Sequence, residues 1–172
     1  MINWIQADIF ALDGVPIIPT NIHGVHGAGL AKEAEERGFI KQGVGEFKPW
    51  YGYHDGRMQV TRYPLLCITF PVKIHWIEKA DIDLIKESFS QLEHFFSLAQ
   101  SKIASIYNLP LVGAGLGEGD LEVIIPMIRE FAEKHSNVRV VLPVGPSKYA
   151  SKTRTDSTLQ KLHKIKELLC IT

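Results

Sequence analysis

Along this chain, short continuous runs of apolar residues take turns with apolar residues spaced three and four apart. "INWIQA" near the N-terminus and "VPIIPT" from Val15 are short, apolar and followed by turn residues, which predicts two buried strands. A segment rich in Ala, Glu, Lys and Arg then predicts a helix from Gly29 to Arg37, stopped by Gly38. Residues 40–56 hold glycines, one proline and the aromatics Phe47, Trp50, Tyr51 and Tyr53, the composition of a surface loop. "RMQVTRY" alternates and "LLCITF" is continuously apolar, so a hairpin joined at Tyr63-Pro64 is expected. Ile82, Ile85, Phe89, Leu92, Phe96 and Ala99 line one face of a helix. "IASIYNLPLV" is a strand, and Leu121, Ile124, Ile125, Ile128 and Phe131 mark a second amphipathic helix with Asp120 placed to cap it. "VRVVLPV" is the last strand, and Leu159, Leu162, Ile165 and Leu169 mark a closing helix.

Strands alternating with helices predict a three-layer α/β/α sandwich with a largely parallel central sheet, and the hairpin makes that sheet mixed. At 172 residues the chain reads as a single domain, 1–172, in which 148–172 form a basic segment and helix. The 19 basic and 19 acidic side chains cancel, which speaks against a protein whose main task is gripping long nucleic acid. The local excess of Lys148, Lys152, Arg154, Lys161, Lys164 and Lys166 reads as a solvated helix face, with a phosphate-contacting surface as the alternative. No apolar run reaches the ~18 residues of a membrane span. Cys67 and Cys170 suggest neither a disulfide framework nor a metal site, which fits an intracellular, reducing setting. A cytoplasmic monomer with no metal and no cofactor is expected.

Two glycine-rich loops carry the chemistry. "NIHGVHGAG" places Gly24, Gly27 and Gly29 between a strand and a helix; "PLVGAGLGEGD" places Gly113, Gly115, Gly117 and Gly119 in an equivalent position. Glycine lets backbone N–H groups approach a ligand with no Cβ in the way, and a helix N-terminus adds unpaired donors and partial positive charge. Hydrogen bonds to charged groups are worth ~1.5–3 kcal/mol each, so about four or five such contacts would hold a diphosphate at micromolar concentration. The alternative is that the glycines only make tight turns and caps. Neither loop reads as a P-loop, and no acidic residue follows at the distance a Rossmann site needs. Asp8, after the first strand, could accept from an exocyclic amine such as adenine N6, or could simply form a turn.

Asp8-Ile9, "N-x-x-G-x-x-G-x-G-L-A" from Asn21 to Ala31, "FPVKIHW" from Phe70 to Trp76 and "PLVGAGLG" from Pro110 to Gly117 resemble the macrodomain family, in macrodomain order. The likeness is greatest to the branch containing terminal ADP-ribose protein glycohydrolase and the DNA ADP-ribosyl glycohydrolase antitoxins. It implies a mixed six-stranded sheet with ADP-ribose bound at the strand ends. By that resemblance Asp8 and the Ile9 backbone take the adenine, and Asn21 reaches the distal ribose. Gly24, Val25, Gly27, Ala28, Gly29 and Leu30 wrap the pyrophosphate and distal ribose together with Gly113, Ala114, Gly115, Leu116 and Gly117. Pro143, in "VLPVGPS", contributes to the adenine-side wall. Lys73 is the implied catalytic group, attacking or stabilising the anomeric carbon as the ADP-ribosyl bond breaks, which requires a partly dry setting that frees its amine. His26 stands where the branch often has Met, Val72 where it has Thr, and Gly117 where some members carry an acid. His23 and His26 are candidate acid–base groups near neutral pH.

The implied activity is hydrolysis of an ADP-ribosyl linkage on a protein, on DNA or on a 1″-substituted ADP-ribose. A module that binds ADP-ribose or an NAD metabolite without chemistry is the alternative from another class. A phosphatase for ADP-ribose 1″-phosphate, working through His23 or His26, is the third.

Overall fold

The computed structural model describes residues 1–40, 59–61, 67–98, 104–115, 118–145 and 160–172, with the backbone alone at 59–61. The four aromatics of the expected surface loop, the Tyr63-Pro64 corner, Ala99, Leu116, Gly117, Lys148, Lys152, Arg154 and Leu159 lie outside the described residues.

Strands β1 (Asn3–Gln6), β2 (Val15–Asn21), β3 (Gln59–Thr61), β4 (Cys67–Lys73), β5 (Tyr107–Pro110) and β6 (Val138–Leu142) form one six-stranded sheet in the order β1-β6-β5-β2-β4-β3. The pairs β1–β6, β6–β5, β5–β2 and β2–β4 are all parallel. Only the short edge strand β3 runs antiparallel, with Gln59 opposite Thr69 and Thr61 opposite Cys67. The mixed sheet and the antiparallel pairing expected from the sequence are both present.

The helices are α1 (Gly29–Glu36), α2 (Ile82–Ser97), α3 (Leu121–Lys134) and α4 (Leu162–Leu169). α2 and α3 begin as their sequences dictate. Asp81 accepts from the Leu84 amide at 2.8 Å, and Asp120 accepts from the Glu122 amide at 3.0 Å. Alternation along the strands sends side chains to two cores, one on each face of the sheet. Ile17, Ile68, Phe70 and Val72 join the larger core with Ile85, Phe89 and Leu92 of α2, Ile124 and Ile128 of α3, and Ile165 and Leu169 of α4. Ile18 and Cys67 point the other way, against Ala31 and Ala34 of α1, Ile40 and the flanking Phe10 and Phe39.

The crossovers carrying α2 and α3 move from β4 to β5 and on to β6, in one direction along the sheet, so right-handed connections place both helices on the same face. The chain leaving β2 goes the other way along the sheet, to antiparallel β3, and the helix on it, α1, packs on the opposite face. The direction reverses between β2 and β5, and these two strands pair only at Val15–Tyr107 and Pro16–Asn108. By contrast, β2 stays paired with β4 as far as Asn21 and Lys73. The β2–β5 ladder therefore stops short of the strand ends, on the side from which both glycine loops emerge.

The opposite edge is closed. Arg139 donates to the Asp13 carboxylate at 2.7 Å, to the Asp13 carbonyl at 2.9 Å and to Asn108 Oδ1 at 2.9 Å. Through this hydrogen bond and its positive charge, Arg139 holds the Asp13 carboxyl below its ordinary pKa.

Phe89 joins the sheet to two helices: its ring meets Phe70 edge-on at 4.9 Å and Phe131 at 5.2 Å. Phe89→Ala is expected to lower unfolding free energy by ~3–5 kcal/mol, read from the midpoint shift in urea at unchanged m-value.

Candidate ligand-binding site

Five parallel strands share one C-terminal edge, so the loops that follow them collect there: Asp8 after β1, Ile22–Ala28 after β2, Ile74–Ile77 after β4, Leu111–Gly119 after β5 and Pro143 after β6. The chain leaves β2 and β5 in opposite directions along the sheet, and such a reversal point is the usual ligand position in open α/β sheets.

Asn21 shapes the first loop. Its Nδ2 donates to the Val25 carbonyl at 2.7 Å, and its Oδ1 accepts from the His23 amide at 3.1 Å and the Val25 amide at 3.2 Å. The resemblance implies a ribose contact for Asn21; the structure shows that its carboxamide also builds the loop. The chain then enters α1 without a side-chain cap, since the cap position is Ala28. Among the described residues, the amides of Gly27, Ala28, Gly29, Leu30 and Ala31 meet no acceptor, and pairing resumes at Lys32, which donates to the Ala28 carbonyl at 3.3 Å. A first turn left open in this way directs its donors and the positive end of the helix dipole at one place.

The glycines of the two loops have different causes. Gly27 is exposed, its φ is not positive, and a Cβ there would meet nothing within 4 Å. Among the described residues, nothing in the packing requires glycine at Gly27. In the second loop the bland explanation holds for part of the pattern. A Cβ on Gly119 would lie 2.7 Å from the Gly113 carbonyl oxygen, and the Gly119 amide is consumed by that same carbonyl at 2.9 Å. The Ala114 and Glu118 amides are also used internally, by Leu111 and Gly115 at 3.0 Å each. Among the described residues of the second loop the Gly113 and Gly115 amides meet no acceptor, so it offers fewer open donors than the first.

Lys73 ends β4 directly beside Asn21, and its carbonyl accepts from the Ile22 amide at 3.1 Å. Beyond it the His75 ring meets His23 edge-on at 5.6 Å and Trp76 at 5.7 Å. Ile74, Trp76 and Ile77 are 44%, 51% and 53% exposed, an apolar rim next to the lysine.

No protein-family model and no curated protein sequence matches the chain. Solved structures do. The macrodomain of Thermus aquaticus DarG superposes with a TM-score of 0.61 at 21% identity, covering 84% of this chain and 99% of that one. The macrodomain of Mycobacterium tuberculosis DarG gives 0.62 at 20% identity, over 83% and 97%. Thermosipho africanus DarTG in complex with ADP-ribose gives 0.59 at 18% identity, over 76% of this chain and 38% of that one. The fold is that of a macrodomain.

On this macrodomain edge the remaining predicted residues fall as follows. Asp8 follows β1 and its Oδ1 accepts from the Phe10 amide at 2.9 Å, so the turn-forming role weighed in the sequence is real. Its carboxylate nevertheless stays 42% exposed, and Ile9 is buried beneath it. Pro143 accepts at 3.1 Å from Gln6, which joins the ends of β6 and β1. His26 is a correction. Its side chain has no exposed surface, and its Nδ1 lies 3.6 Å from Glu35 Oε2 on α1. A ring shut under the helix cannot exchange protons with a substrate in the crevice, so His26 leaves the catalytic set. His23 is exposed and keeps its place.

Two residues at this edge had no role in the sequence reading. His75 stood inside a quoted motif only as a neighbour of Lys73. In the sequence Arg37 is simply the last residue before a helix stop, and no linear signal joins it to Asp8, which it contacts at 3.3 Å.

Gly119→Ala is expected to lower the thermal midpoint by several degrees, because the added methyl collides with backbone. Gly27→Ala should leave stability within about 0.5 kcal/mol of wild type, as for a surface change that meets nothing. Differential scanning calorimetry of the two variants checks both.

Proposed function

We propose that this macrodomain edge binds ADP-ribose and hydrolyses an ADP-ribosyl linkage on a macromolecule. One observation carries the binding: the uncapped first turn of α1, open at Gly27, in the crevice where the crossover direction reverses. An ordinary globular loop would cap that turn with Ser, Thr or Asp, as α2 and α3 are capped; Ala28 cannot, and an anionic ligand can. The pyrophosphate would take the amides of Gly27 to Leu30, with the wall of Gly113, Ala114 and Gly115 opposite. Asp8 and Ile9 would take the adenine, and Asn21 the distal ribose. That Thermosipho africanus DarTG was solved in complex with ADP-ribose supports this choice of ligand.

For the chemistry, the C1″–X bond breaks, the oxygen of water joins C1″, and X leaves with a proton. Lys73, at the strand end beside Asn21, is the group that would attack C1″ or stabilise the charge developing there. The exposed apolar rim of Ile74, Trp76 and Ile77 supports an acceptor larger than a free metabolite, since an apolar patch beside a polar site marks a contact surface. Protein and DNA acceptors both fit that description. The withdrawal of His26 favours, as the second reading, a module that captures ADP-ribose without chemistry. It also leaves the phosphatase reading with His23 alone.

Titration calorimetry should give micromolar affinity for ADP-ribose and much weaker binding of AMP, which lacks the distal half. Gly27→Val should reduce ADP-ribose affinity at least about tenfold, a loss of ~1.4 kcal/mol, at unchanged thermal stability. Lys73→Ala should keep ADP-ribose affinity within a few fold while release of ADP-ribose from modified protein or DNA falls by about 10²-fold or more. If wild type binds tightly but releases nothing from either substrate, the capture module is the correct reading. If Gly27→Val binds like wild type, the phosphate assignment fails.

A further inference from the structure

Asp8 does not stand alone at the edge of the crevice. The Arg37 guanidinium, at the C-terminal end of α1, donates through Nη2 to Asp8 Oδ2 at 3.3 Å and to Glu33 Oε1 at 2.7 Å, and through Nε to Glu33 at 3.0 Å. The same guanidinium lies over the Phe10 ring, 5.0 Å from its centroid, and that ring meets Phe39 at 5.3 Å. Arg37 is thus held from three sides, by Glu33, Asp8 and the Phe10 face. Its side chain nonetheless stays 40% exposed beside an Asp8 that is 42% exposed, and among the described residues its Nη1 meets no acceptor.

A carboxylate next to a guanidinium presents an acceptor and a donor side by side. Adenine offers the complementary pair on its N7 edge: the N6 amine donates and N7 accepts. A 6-oxopurine offers two acceptors, O6 and N7, on that edge, which suits an arginine and repels a carboxylate. We infer that Arg37 reads the purine together with Asp8, so that the pair, not Asp8 alone, sets the preference for a 6-aminopurine over a 6-oxopurine. The inference rests on Asp8 facing the base, as proposed above for the bound ADP-ribose.

This makes a prediction that a purely structural Arg37 does not share. In wild type, Asp8 opposes the oxo group that Arg37 would attract. Removing Asp8 should therefore let Arg37 act alone and improve binding of the hypoxanthine ligand, while adenine loses a partner. Arg37→Met keeps an unbranched apolar stem over Phe10 and deletes the charge and the donors.

The test is titration calorimetry of ADP-ribose and its hypoxanthine analogue against wild type, Asp8→Ala, Arg37→Met and the double variant, with thermal midpoints as a check on folding. Expected are a wild-type preference for adenine of about tenfold or more and, in Asp8→Ala, an absolute gain in hypoxanthine affinity of several fold. That gain should vanish in the double variant, and Arg37→Met should weaken adenine binding. The inference is overturned if Asp8→Ala does not improve hypoxanthine binding, or if the improvement survives loss of Arg37. Tight wild-type binding of both ligands, indifferent to all three variants, would put the base elsewhere and leave the phosphate site standing. Failure of wild type to bind ADP-ribose at all would remove the proposed function itself, and this inference with it.

Discussion

Parallel pairing of β1, β6, β5, β2 and β4 obliges every one of these strands to end at the same edge of the sheet, and the site follows from that constraint. Residues as distant in sequence as Asp8, Asn21, Lys73, Ala114 and Pro143 come to the same end of the sheet because the strands before them pair in parallel. Strand order adds a parting point at that edge. The chain leaves β2 toward β4 and β3 but leaves β5 toward β6, on opposite sides, and the ladder between β2 and β5 ends at Pro16 and Asn108.

Much of this was legible in the sequence. Continuous apolar runs in β2 and β4 announced strands buried on both faces, and the three-and-four spacing of Ile82 to Phe96 announced α2 almost to its ends. Asp120 was read as a cap and is one. The two glycine loops were recognisable as a pair, but their separate causes were not. Whether a glycine is demanded by a neighbouring carbonyl, as at Gly119, or by nothing among the described residues, as at Gly27, depends on contacts made across the fold.

His26 was misplaced for a related reason. A histidine in a polar, glycine-rich loop has no local pattern that reports which way its ring turns. Here Asn21 ties the loop back on itself at Val25, and the next residue is carried beneath α1 to Glu35. Arg37 was invisible in the opposite sense. Its sequence neighbours explain it fully as a helix terminus, and its contact with Asp8 arises because α1 and the turn after β1 pack on the same face around Phe10 and Phe39.

These observations give α1 an unusual position in the molecule. It is eight residues long, too short to be stable by itself, and its buried contacts come from the small side chains Ala31 and Ala34. Small residues let the helix approach the sheet closely beside Ile18, which sets its first turn at the strand ends. They also leave it little apolar area with which to hold itself there, since each alanine buries only a methyl group. What else fixes α1 is polar and sits at its two ends: the Asn21-built loop before it, and the clasp of Arg37 on Glu33, Asp8 and Phe10 after it. An anion received at the open N-terminal amides would complete the helix at its weakest point. Under the proposed function, binding of that anion would therefore add to the stability of α1, whose two ends lie less than twelve ångström apart at about 1.5 Å per residue.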